Sequence, residues 1–253
     1  ALGTIEMRTE QVHTVKPLDV KIPKGRLTVV TGVSGSGKTT MVLESLVPAL
    51  RAKINGEELP RHVAEIKADG IRRVNLIDAT PIGINVRSTV ATYSGISDDL
   101  RRLYAAAPKA KELGLKVNDF SYNTGSLRCP TCDGTGVISM DIQFLPDVEI
   151  TCPDCGGKRF SPRADEVKIE LGGKPYSIAD VMSATASEAA ELFRDNKRIR
   201  EKAETLMRLG LGYLTIGEST PSLSGGEAQR LKLATEIGET QDDAVFVFDE
   251  PTI

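Results

Sequence analysis

The stretch "TVVTGVSGSGKTT", residues 28 to 40, constrains this chain more than any other. Gly32, Gly37, Lys38 and Thr39 fit the G-x-x-x-x-G-K-[ST] pattern of a phosphate-binding loop. The β-rich run "RLTVV" before it predicts a strand near 26–31. The run "TTMVLESLVPAL" after it predicts a helix, with Met41, Leu43, Leu46, Val47 and Leu50 as its apolar positions. Strand, glycine loop and helix start together form a cradle for phosphate. Glycines let backbone N–H groups turn inward, and the helix dipole favours negative charge there. Gly32, Val33, Ser34, Gly35, Ser36, Gly37, Lys38, Thr39 and Thr40 are the expected nucleotide-binding residues. Lys38 is expected to reach the β- and γ-phosphates, and Thr39 to ligate Mg²⁺. A glycine-rich turn without a ligand is the plainer alternative.

A second apolar run ends in acid: "AVFVFDE", residues 244 to 250. Near-continuous apolar residues fit a buried parallel strand. Asp249 at its end is expected to hold Mg²⁺, and Glu250 to orient or polarise an attacking water. Lys38, Asp249 and Glu250 are thus the candidate catalytic residues.

Before that strand comes "SLSGGEAQRLKLATEIG". Ser224 and Glu227 make an S-x-x-E capping box that opens a helix carrying Leu231, Leu233, Ala234 and Ile237. A capped helix alone does not explain Gly225 and Gly226, which weaken a helix. They make sense where backbone and hydroxyl must approach an anion closely.

All four cysteines lie in two C-P-x-C pairs, Cys129/Cys132 and Cys152/Cys155, with 19 residues between the pairs. This spacing reads as a zinc site. Each pair supplies two corners of a thiolate tetrahedron from one tight turn. Between the pairs, Ile138, Met140, Ile142 and Phe144 alternate with polar residues. Leu145-Pro146-Asp147 reads as a turn, and Val148 and Ile150 alternate again. A hairpin with one apolar face is predicted, tied at its base by metal. Two disulfides or four idle thiols are the alternatives, and the lack of a secretory signal argues against disulfides. The glycines after the cysteines also echo the repeat of DnaJ-type chaperones, over this short segment only.

Composition excludes more than it assigns. The chain has 253 residues, is 40% hydrophobic and 26% charged, and carries a net charge of −3. Bulk charge predicts no polyanion partner, so a nucleic-acid surface has to be a local patch. No apolar run approaches the ~18 residues of a membrane helix, and "ALGTIEMRTE" has no signal-peptide core. A cytoplasmic location is expected. The chain starts without Met and stops at "DEPTI", so a fragment is expected.

The phosphate-binding loop, "LSGGEAQR" and "VFVFDEPT" together resemble the ABC ATPase superfamily, in that superfamily's order. The distance from Lys38 to Ser224 is far greater than in transporter ATPases, leaving room for an inserted domain with the zinc module. The combination is similar to the UvrA family of damage-recognition ATPases in bacterial nucleotide excision repair, specifically to the C-terminal ABC half. "PIG", "ATYSGI", "FSYN", "FLPDV", "GGKRF" and "LGLGYLTIGE" extend the resemblance through nearly the whole chain. It implies an excinuclease subunit that binds ATP, Mg²⁺ and zinc. The implied partners are double-stranded DNA, a second ABC half in the same protein, a homodimer mate and the excinuclease subunit UvrB. It also implies that Ser224, Gly225 and Gly226 cap a γ-phosphate held by another lobe. Two departures stand out. Ala79 occupies the glutamine position of the Q-loop, and Ile84 follows "PIG" where an arginine is usual. These changes suggest a divergent paralogue of the kind linked to resistance against DNA-damaging drugs.

The implied fold class is α/β: an ABC-type P-loop lobe with an inserted, mostly helical signature domain that carries a zinc-bound β-hairpin. The expected division is 1–85 for the ATP-binding lobe, with strands near 26–31 and 73–78 and a basic, irregular stretch at 51–73. Residues 86–236 form the signature domain, with its zinc module at about 126–160, and 237–253 return to the lobe. Thr185 and Glu188 form another capping box, and "KRIREKAETLMRL" predicts a charged amphipathic helix. The resemblance places DNA contacts near the zinc region, where Arg101, Arg102, Lys158 and Arg159 are the candidates. An ordinary solvated surface is the alternative for all four. A non-repair ABC ATPase, serving drug resistance or transport, is the alternative function.

Overall fold

Alternation in "TIEMRT" turns Ile5, Met7 and Thr9 to one face, and all three are buried in strand β1 (Thr4–Thr9). In the computed structural model, which describes residues 3–83, 86–140, 148–236 and 243–250, β1 is the centre of a three-stranded antiparallel sheet. Its neighbours are β2 (Leu18–Pro23) and β3 (Val63–Lys67). Helix α1 (Val47–Asn55) contributes Ala49 and Leu50 to the same core as Ile5, Met7, Val63 and Ile66. Gly56 ends α1 in the left-handed region at φ 70°, donating its amide to Ala52 O. The stretch 51–73, expected to be irregular, therefore holds the end of α1 and all of β3.

Strands β4 (Arg73–Ile77) and β9 (Ala244–Phe248) pair in parallel, from Arg73 opposite Ala244 to Ile77 opposite Phe248. Between them the chain makes a second compact unit, which begins at Ala79 and includes the helix before β9. The first unit thus comprises the chain up to Asp78 together with β9.

The strand expected near 26–31 is not formed. Leu27 is 87% and Val29 71% exposed, and the segment joins no ladder among the described residues. A β-branched run expresses its preference only against a partner on a pleated, half-buried surface. The helix after the loop is present but winds in two parts. Residues Thr40–Leu46 form a π-helix, and α1 takes over with Pro48 in its first turn. Proline, with no N–H to donate, falls where the winding changes.

The second unit is mostly helical: α2 (Val90–Tyr93), α3 (Ile96–Ala106), α4 (Pro108–Glu112), α5 (Ile178–Met182), α6 (Ala186–Leu192), α7 (Lys197–Arg208) and α8 (Gly225–Glu236). Two antiparallel hairpins accompany them, β5 (Val137–Met140) with β6 (Val148–Thr151), and β7 (Lys168–Leu171) with β8 (Lys174–Ser177). One apolar core contains Ile96, Leu100, Tyr104, Phe120, Phe193 and Leu206. On α7, Ile199, Ala203 and Leu206 are buried at helical spacing. Its outward charges pair one turn apart, Lys197 with Glu201 and Arg200 with Glu204. The expected boxes at Thr185–Glu188 and Ser224–Glu227 form as hydrogen-bonded caps. Ile84, Ile142, Phe144, the turn at 145–147, Ile237 and the final "PTI" lie outside the described residues.

Candidate functional site

The glycine loop is closed by its own backbone. Ser36 N donates to Val33 O at 3.2 Å, and Met41 N to Gly37 O at 2.9 Å, where the helix starts. Gly37 sits at φ 91°, and a Cβ there would lie 2.5 Å from Val15 Cγ2, so both backbone and neighbour demand glycine. Lys38 folds across the loop. Its Nζ donates to Gly32 O at 2.7 Å and Val33 O at 2.8 Å. An ammonium held by two carbonyls at an exposed loop can exchange them for phosphate oxygens without disturbing any core. Asp249 and Glu250 follow the C-terminal end of β9, with Asp249 N bonded to Ile77 O at 3.1 Å. Glu250 lies at φ 45°, which is unusual for a residue with a side chain and marks a sharp exit from the strand.

Ser224 and Gly225 are exposed at the N-terminus of α8. Ser224 N donates to Glu227 Oε2 at 2.7 Å, and Glu227 N to Ser224 Oγ at 3.3 Å. The Tyr213 hydroxyl also bonds Glu227. Together with the Ser224 amide, it holds the Glu227 carboxyl below the usual range. Sequence reasoning missed Tyr213, and it missed the role of the segment at Ala79. A Cβ on Gly225 would come within 3.1 Å of Ala79 Cβ. Lys232, two turns along α8, donates to Thr80 O at 2.9 Å and Thr80 Oγ1 at 2.8 Å. The segment at Ala79–Thr80 and the helix bearing the glycines are therefore fastened together.

The four cysteines converge. Their sulfurs all lie within 4.8 Å of one another, and all four residues are buried. Cys129 Sγ is 3.9 Å from Cys152 Sγ, and Cys132 Sγ is 3.7 Å from Cys155 Sγ. Those separations are too long for disulfides. They match the ~3.8 Å edge of a thiolate tetrahedron with Zn–S of about 2.3 Å. Each pair sits in a turn, with Gly134 N on Cys129 O and Gly156 N on Cys152 O. Gly136 N donates to Cys132 Sγ at 3.2 Å. Burial pushes the Cys155 thiol up to about 12 and also raises Cys129. Burial works against ionisation at Cys132 too, but the Gly136 amide and its sulfur neighbours outweigh it and the thiol falls below the usual range. The donor set fits zinc. Beside it, Asp133 accepts from Arg87 Nη2 at 2.7 Å and Arg128 Nε at 2.6 Å.

The four candidate DNA cations fare differently. Arg102 is exposed and pairs with Asp99 at 3.4 Å, and Lys158 pairs with Asp180 at 3.5 Å. Arg101 is less open, bonded to Val117 O and Asp98. Arg159 is only 5% exposed. Its guanidinium bonds Val86 O, Gly134 O and Ser219 Oγ, so the expectation that it meets DNA is corrected. Its backbone lies in the left-handed region at φ 70°, and Lys158 beside it is exposed.

No family profile matches the chain. It is 38% identical over 252 residues to UvrABC system protein A of Helicobacter pylori (strain ATCC 700392 / 26695), covering 98% of this chain and 26% of that protein. The UvrABC system protein A of Lactiplantibacillus plantarum is 43% identical over 245 residues, covering 95% of this chain and 25% of the relative. Among solved structures, UvrA2 from Deinococcus radiodurans superposes with a TM-score of 0.86 at 42% identity, over 99% of this chain and 30% of that one. The chain thus spans about a quarter of the length of the relatives it matches. The UvrA likeness is shown over nearly all of this chain, in sequence and in fold.

Proposed function

We propose that this chain is the C-terminal-half segment of a UvrA-type ABC ATPase, serving damage recognition on duplex DNA in nucleotide excision repair. The observation that carries the reading is the 42% identity and 0.86 TM-score to UvrA2 across 99% of the chain. Lys38 binds the β- and γ-phosphates of ATP, and the loop amides from Gly32 to Thr40 cradle them. Thr39 and Asp249 hold Mg²⁺, which neutralises phosphate charge. Glu250 orients the attacking water. Ser224, Gly225 and Gly226 present a helix N-terminus to the γ-phosphate bound by another lobe. Cys129, Cys132, Cys152 and Cys155 hold a structural zinc, since thiolates fill all four corners.

The partners follow from the same reading: damaged duplex, a second ABC half, a homodimer mate and UvrB. Arg102, Lys158 and, with less open access, Arg101 are the phosphate-contact candidates. Each must leave a carboxylate to reach DNA, so their contribution grows as salt falls. Recognition of a lesion would come through backbone contacts and duplex deformability rather than base edges. No observation favours a transport-associated ATPase. Fluorescence anisotropy with lesion-bearing and intact duplexes of one sequence, with and without Mg-ATP, tests the reading. Tighter binding of the damaged duplex is expected, and equal binding under all conditions would remove the repair assignment.

A further inference from the structure

Arg159 is the only buried cation among the described residues, and it has no carboxylate partner. Nη1 donates to Val86 O at 2.7 Å and to Gly134 O at 3.4 Å, Nη2 donates to Ser219 Oγ at 2.7 Å, and the guanidinium stands 5.1 Å from the Tyr122 ring centre. Every one of these groups is neutral. A full positive charge buried against neutral acceptors calls for a compensating negative charge nearby.

The cysteine cluster supplies one. Four thiolates around one divalent cation leave an excess of two negative charges. Arg159 is built into that cluster's frame. Its carbonyl accepts from Cys129 N at 2.9 Å, and its side chain bonds Gly134 O inside the first cysteine turn. A Cβ on Gly136 would lie 3.3 Å from Arg159 Cγ, so the arginine stem packs on the residue whose amide donates to Cys132 Sγ.

We propose that Arg159 is a positioning residue for the metal. It is the buried counter-ion of the loaded four-cysteine cluster, and the joint that ties that cluster to Val86 and Ser219. The proposal rests on the zinc reading above. It gives the metal a second consequence. Ser219 pairs with Thr89 across an isolated bridge and lies five residues before Ser224, so metal loading also fixes the backbone that leads into α8. Groups around a metal's ligands tune its affinity as well as the ligands' orientation.

Zinc retention against a graded chelator series tests this on the full chain, with hydrogen exchange of residues 86–90 and 219–224 as a second readout. The unaltered chain is measured first, and absence of zinc from it would remove the zinc reading itself. With zinc present, Arg159→Gln is expected to lower affinity roughly tenfold or more. Arg159→Lys keeps the charge but not the three-way fork. It should retain most of the affinity while exchange at 86–90 and 219–224 rises. Ser219→Ala should raise exchange and leave affinity unchanged. If Arg159→Gln holds zinc as tightly as the parent, the counter-ion role is wrong. If Arg159→Gln is recovered only unfolded, the lysine variant decides. Retained zinc supports the charge role, and loss of zinc overturns it.

Discussion

Lys38 is the residue on which nucleotide binding should turn. Among the described residues its ammonium bonds two carbonyls of its own exposed loop, so removing it leaves no buried group there unsatisfied. Lys38→Ala should therefore fold normally and lose ATP affinity by roughly a hundredfold, the size expected for one or two charge-assisted bonds of about 1.5–3 kcal/mol each. Isothermal titration with Mg-ATP checks it, and unchanged affinity would dismiss the loop as a phosphate site. The closed glycine loop was legible because its pattern is local: glycine positions and the lysine fall within eight residues. The neighbours Lys158 and Arg159 show the limit of such reading. In sequence they are one basic pair after a zinc motif. In the structure Lys158 meets Asp180 at the surface, while Arg159 lies beneath it against Tyr122. The difference lies in distant partners, Val86 O, Gly134 O, Ser219 Oγ and the Tyr122 ring, which nothing in the residue type announces.

At the scale of elements, features fixed by near neighbours were readable, and those fixed by distant partners were not. The cap on α8 belongs to the first kind, since Ser224 and Glu227 are three residues apart. Ser224→Ala should cost about 1 kcal/mol of stability, seen as a lower midpoint in urea unfolding. The same cap carries a pH signature. The Tyr213 hydroxyl and the Ser224 amide depress the Glu227 carboxyl in the folded chain. Its contribution is therefore present above the ordinary glutamate value of about 4.3 and is lost as pH falls through the lower folded value. Glu227→Gln should flatten that part of the stability profile below about pH 4.5. The segment at 26–31 belongs to the second kind. Its residues prefer a strand, but a strand needs a ladder partner that local sequence cannot supply. The β5–β6 hairpin lies between these cases. Its hairpin character was legible from alternation but its register was not: a turn at 145–147 would set Ile142 opposite Ile150, whereas Ile138 stands there. Yet Val148 and Ile150 remain exposed, so little apolar burial holds the pair. Metal should do so instead. One zinc per chain is expected by elemental analysis of reduced protein. Cys152→Ser should open residues 137–140 and 148–151 to limited proteolysis while α3 and α7 stay protected. Protection of the hairpin in zinc-free protein would contradict this.

For the whole molecule, the deciding count is one phosphate-binding loop and one "LSGGE" helix in the chain. The UvrA likeness implies that each ATP is closed between the loop of one lobe and the glycine helix of another. A single chain then has both halves of a site but no partner to complete either. Ala79 adds to this. Where the likeness implies a glutamine that reaches metal and water, this chain has a methyl group packed near Gly225. Lys232 fastens Thr80, the next residue, to α8. The isolated chain should therefore bind Mg-ATP and turn it over slowly, with a specific rate that climbs with chain concentration as copies meet. Supplying a second ABC half should raise the rate further, and duplex DNA should then modulate it, because closure of the lobes and placement of α8 share one free energy. Ala79→Gln restores the missing side chain and should speed turnover without changing affinity, separating catalysis from binding. Steady-state ATPase over a wide concentration range, alongside sedimentation to fix the oligomeric state, reads all of this. A high specific rate that stays constant in a chain shown to be monomeric would mean that one copy completes its own site, and the shared-site account would have to be given up.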